Sequence, residues 1–93
     1  MRAYQKVPAD PERKARLAEM RAAGHAWGKN EAHKAILAIG NDVTREQADR
    51  WIGRVLVERA AALSAIGADD QDISAWKTSC WKNFFGRLSR VLA

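Results

Sequence analysis

Thr44-Arg45-Glu46-Gln47-Ala48-Asp49-Arg50-Trp51-Ile52 carries the clearest start signal in the chain. Thr44 with Gln47 three residues on has the spacing of a capping box, and Ala48, Ile52, Val55, Leu56, Leu63 and Ile66 then recur at three- and four-residue steps. That period predicts a helix ending near Ile66, with Gly67 as its stop. A second segment follows at once. Asp69, Asp70 and Asp72 suit a helix N-terminus, and Arg87 and Arg90 suit its C-terminus. At ~100° per residue, Ile73, Cys80, Trp81, Phe84, Phe85, Leu88, Val91 and Leu92 share an arc of roughly 140°, with Ser79, Lys82, Gly86, Arg87 and Arg90 opposite. Lys77 is the misfit, because it falls in the middle of the apolar arc.

Towards the N-terminus, Asp10 as a cap, Pro11 in the first turn and Glu12 four residues before Arg16 predict a helix that Gly24 ends. Its apolar content is thin, mainly Leu17 and Met20, so light packing is expected. Asn30 then caps a short helix through Ala32, Ile36, Leu37 and Ile39 to Gly40. Period-2 alternation of β-branched residues is missing beyond a few positions. The fold class is therefore all-α, a single compact domain over residues 1–93 with about four helices and residues 1–9 as a flexible N-terminal arm.

Ninety-three residues, 47% apolar and 29% charged, can bury one modest core but not a deep walled cleft. With one cysteine, Cys80, no intrachain disulfide can form. No apolar run is long enough for a membrane span, and the first residues lack the apolar stretch of a secretory signal, so a cytoplasmic protein is expected. Catalysis has few candidates. His25 and His33 are the only imidazoles, and Cys80 lies far along the chain from both. No Cys/His spacing suits a metal, and the three aspartates lack the spacing of a calcium loop. The glycines at 24, 28, 40, 53, 67 and 86 do not cluster as a phosphate-cradling loop and read as helix stops and close-packing points. The expectation is a protein without cofactor, metal or enzymatic activity.

The net charge of +5 is unevenly spread. Residues 1–42 carry +3 (8 basic against 5 acidic), residues 43–66 carry +1 (4 against 3), residues 67–72 carry −3, and residues 73–93 carry +4 without an acid. Such a balance fits an anionic partner. Val43 to Ile52, preceded by the helix ending at Gly40, resembles a helix-turn-helix DNA-binding unit within residues 30–66, although its turn is about two residues longer than usual. That resemblance implies Thr44, Arg45, Gln47 and Arg50 facing a major groove; Lys82, Arg87 and Arg90, which share one face of a segment without an acid, are the expected phosphate contacts. Of the four tryptophans, Trp51 and Trp81 are expected in the core, while Trp27 and Trp76, with Lys77, are candidates for a partner interface. Three functional classes follow, of which a peripheral membrane binder through the last helix ranks third because its apolar stripe is better explained as core. The first is a small basic nucleic-acid-binding protein, with DNA as the first choice. The second is a protein-interaction module or inhibitor of mobile-element type, for example one acting on CRISPR complexes, whose partner is acidic or already holds nucleic acid. A homodimer is compatible with either of these two, and a membrane partner with neither.

Overall fold

The computed structural model describes residues 11–92, so the expected N-terminal arm at residues 1–9 and the Asp10 cap lie outside the described residues. Three helices form one compact globule: α1 (Pro11–Ile39), α2 (Arg45–Ala65) and α3 (Asp70–Leu88). No helix among the described residues is long and apolar enough to cross a membrane. The turns are built as their chemistry requires. Gly40, with φ +116°, ends α1, and its N–H bonds the Ile36 carbonyl at 2.9 Å. After α2, the N–H of Ala68 reaches the Leu63 carbonyl at 3.0 Å and that of Gly67 the Ser64 carbonyl at 3.1 Å, a Schellman pattern with Gly67 at φ +99°. Capping boxes start the other two helices, Thr44 with Gln47 on α2 and Asp69 with Asp72 on α3.

Four helices were expected and three are found, because Gly24 and Asn30 do not bound anything: α1 runs unbroken through both. Gly24 and Gly28 are there for proximity. A Cβ on Gly24 would stand closer than 3.0 Å to the Trp76 carbonyl oxygen, and one on Gly28 equally close to the Cys80 carbonyl oxygen. With Ala32 and Ala35 they form a row of small residues on which α3 lies almost backbone to backbone. The thin apolar content of the first helix is thus a device for close approach, and α1 packs chiefly against α3 and only lightly against α2. Contacts climb together along the two chains, from Arg16 with Asp72 to Gly28 with Phe84, so α1 and α3 run parallel. Trp51 bonds Glu31 and Arg59 covers Trp27, so α2 runs antiparallel to α1.

The core is centred on Trp76, Cys80, Phe84 and Leu88 of α3, closed by Ile52 and Val43. Trp76 is 1% exposed, whereas Trp81 is 43% exposed. Both expectations for these rings are therefore reversed. Trp76 is a core residue and Trp81 is not, because α3 turns toward α1 the side that includes Trp76, and α2 does not cover Trp81.

At the other end, Asp72 is 3% exposed and accepts from the Arg16 Nε at 3.0 Å and from the Asp69 N–H at 3.1 Å. Asp69 in turn accepts from the Asp72 N–H at 2.9 Å and from Arg13 at 3.0 Å. The Asp72 backbone N–H holds the Asp69 carboxyl below its ordinary range, with Arg13 adding to the effect. A carboxylate with a lowered folded-state pKa contributes stability above its unfolded value, near 3.8, and loses it as pH falls through the folded one. Acid titration of Asp69→Asn should therefore show a smaller loss of melting temperature below pH ~4 than the parent protein shows.

Candidate functional site

Two groups stand out among the described cations, apart from Lys14, Arg21, Arg54, Arg59 and Lys77, which belong to neither. Arg13, Arg16, Lys34, Arg45 and Arg50 are held by carboxylates. Lys29, Lys82, Arg87 and Arg90 form no ion pair among the described residues, and all four line one open groove of about 620 Å³ between α1 and α3, together with His33 and Asn83. Ala32, Ile36 and Gly86 complete its lining, and among the described residues no carboxylate and no residue of α2 lines it. A second depression of about 370 Å³ continues the groove, sharing Lys82 and Asn83 with it and adding Arg21, Ser74, Thr78 and Ser79. The two make one seam of positive charge and hydrogen-bonding side chains along the α1/α3 junction.

The close approach at Gly24 and Gly28 creates this seam. Arg21, His25, Lys29 and His33 stand four apart along α1, a row of exposed basic positions at steps of roughly 6 Å. The narrow helix spacing brings Lys82 and Arg87 of α3, and Arg90 in the turn after it, beside that row. Ser79 Oγ donates to the Arg21 carbonyl at 2.7 Å, and Asn83 Nδ2 to the Ser79 carbonyl at 3.0 Å, which orders the polar edge. Like charges held together without acids are mutually repulsive, and a polyanion relieves that repulsion.

The residues expected to read bases are engaged within the chain. Thr44 Oγ1 accepts from the Gln47 N–H at 3.1 Å, and Gln47 Oε1 accepts from the Thr44 N–H at 2.9 Å. Arg45 is bonded to Asp49 at 3.3 Å and lies 4.2 Å over the Phe85 ring. Arg50 reaches Glu46 at 3.7 Å. Thr44 and Gln47 cap α2, and α1 is far longer than the short first helix of the expected helix-turn-helix unit. The three phosphate candidates Lys82, Arg87 and Arg90 are brought together; Arg45 and Arg50 do not join them.

The expected partner-interface set does not form a patch. Trp76 is in the core, Trp27 is half-buried edge-on to it at 6.1 Å, and only Lys77 is exposed. Trp27 also lies under the Arg59 guanidinium at 4.5 Å. Trp51, expected in the core, is half-buried and donates its Nε1 to Glu31 at 3.0 Å. Cys80 is buried at the α1/α3 contact, where desolvation, and then the Glu31 charge, push its thiol up to about 11. A thiol so placed should react with a disulfide reagent at pH ~8 only as fast as the protein opens, so its rate should rise steeply with denaturant rather than with pH.

Lys29 and His33 were missed as site residues because a helix broken at Gly24 hides the row to which they belong. Among the described residues no three His, Cys, Asp or Glu side chains are grouped so as to hold a metal ion. No family model, curated protein or solved structure is significantly similar to this chain, so the geometry of the seam carries the functional reading.

Proposed function

We propose that this protein binds nucleic acid along its phosphate backbone through the α1/α3 seam, with Lys29, Lys82, Arg87 and Arg90 as the principal phosphate contacts and His33 and Asn83 among them. The observation that carries this reading is the convergence of four cations that, among the described residues, have no carboxylate partner on a groove lined by no described acid. Lysine, arginine, asparagine and hydroxyl side chains are the usual donors to phosphate oxygens. The row from Arg21 to His33 spans about 18 Å, the axial length of roughly five phosphates of one strand. None of the expected base readers lines the groove, and Arg45 and Arg50 lie outside it in exposed pairs with Asp49 and Glu46. Binding is therefore indifferent to base sequence.

The test is the triple variant Lys82→Gln, Arg87→Gln, Arg90→Gln, assayed against two duplexes of unrelated sequence. All three residues are exposed, so the melting temperature should stay near that of the parent. Affinity should fall for both duplexes alike, and the slope of log K against log salt should become shallower by about 2 to 3. Arg45→Gln with Arg50→Gln should leave discrimination between the duplexes unchanged. An undiminished triple variant, or no binding by the parent protein, overturns the proposal and leaves an acidic protein as the partner of the seam.

A further inference from the structure

Trp81 is the most exposed aromatic ring among the described residues. Its ring is held in place: it packs on Phe85 with centroids 4.9 Å apart, and Phe85 is fixed by Phe84 at 5.1 Å and by the Arg45 guanidinium at 4.2 Å. Lys77, four residues before Trp81, is exposed and forms no ion pair among the described residues. Lys77, Trp81 and Phe85 thus make a row along α3, with Arg45 over its far end. The misfit of Lys77 in the apolar arc is resolved in this way, because Lys77 and Trp81 are exposed and only Phe85, at the end of the row, is buried.

That surface is continuous with the seam. Ser74 and Thr78 line the depression that adjoins the groove and also the shallow hollow that contains Lys77, where Asp70 is the one lining acid. Trp81 is three residues from Thr78 and about 100° round the helix from Lys82. A strand held at Lys82 reaches the Trp81 ring by crossing Thr78. The patch is small, one accessible ring beside cations and hydroxyls, whereas a protein interface needs an apolar core within roughly 800 Å² per partner. The other exposed large apolar residues, Leu37, Val57 and Ile66, lie on α1, on α2 and just after α2. One flat ring with cations on both sides fits a nucleobase, which needs only a π-face and a nearby phosphate contact.

We infer that Trp81, flanked by Lys77 and Arg45, is a stacking platform for an unpaired nucleotide, so that the substrate class is nucleic acid containing single-stranded segments. This rests on the seam holding the backbone. The experiment is fluorescence anisotropy of the full chain with a labelled oligothymidylate and a labelled duplex of the same length. The parent should favour oligothymidylate. Trp81→Leu keeps apolar bulk on Phe85 but removes the indole, and it should lose roughly 5- to 100-fold on oligothymidylate while its duplex affinity stays that of the parent. Trp81→Phe should retain most of the preference, which guards against a folding defect in the leucine variant. Equal affinity of the parent for the two ligands, or an unaffected Trp81→Leu, overturns the stacking assignment while duplex binding keeps the seam reading intact. Failure of the parent to bind either ligand overturns both.

Discussion

Gly24→Ala and Gly28→Ala are each expected to destabilise the protein by about 3 kcal/mol or more, the upper end of overpacking effects, because each new methyl meets a carbonyl oxygen of α3 rather than a side chain that can swing away. Relief requires α3 to move off α1 along its length, and that exposes Trp76 and Cys80. A domain of this size has only ~5 to 14 kcal/mol in hand, so the double variant, losing about 6 kcal/mol or more, should forfeit a large share of its stability. Gly53→Ala supplies the control of opposite sign. A Cβ there meets nothing within 4 Å, and the substitution lies inside α2, so a gain of about 0.5 to 1 kcal/mol is expected. Urea midpoints with unchanged slopes measure all three.

Trp76→Ala and Phe84→Ala form the second large prediction, at ~3 to 5 kcal/mol each, since both rings are fully buried against α1 and neither cavity can be filled by its small neighbours. Trp81→Ala, truncating a ring already 43% exposed, should cost less than about 1.5 kcal/mol. The contrast between Trp76 and Trp81 is the informative result. Equal losses would mean that the side of α3 assigned to α1 is wrong.

The same pair shows how far residues alone reveal the fold. Thr44 with Gln47, Asp69 with Asp72, and the stops at Gly40 and Gly67 were legible because caps and positive-φ turns are local chemistry. Gly24 and Gly28 were not, since a glycine that ends a helix and one that admits a neighbouring backbone look alike until the neighbour is known. From that ambiguity the other errors followed. With α1 broken at Gly24, its small-residue face was invisible, and the apolar arc of α3 was set roughly 50° away from its true direction. Trp81 was thus taken for core and Trp76 for surface. Lys82, Arg87 and Arg90 could be recognised as a shared face within one helix, but Lys29 and His33 come from a segment more than 45 residues earlier and join them only through the α1/α3 contact. Thr44, Arg45, Gln47 and Arg50 have the residue types of base readers. In the fold they have partners at Asp49, Glu46 and Phe85 and within the capping box, which no local pattern shows.

The most direct measurement of where nucleic acid sits is an amide chemical-shift titration of the full chain with a short oligonucleotide at low salt. Shifts concentrated at Lys29, His33, Lys82, Asn83, Arg87 and Arg90, extending to Thr78, Trp81 and the flanking Arg45 and sparing Gln47 and Arg50, are the predicted result. Shifts confined to Thr44 to Arg50 would contradict it.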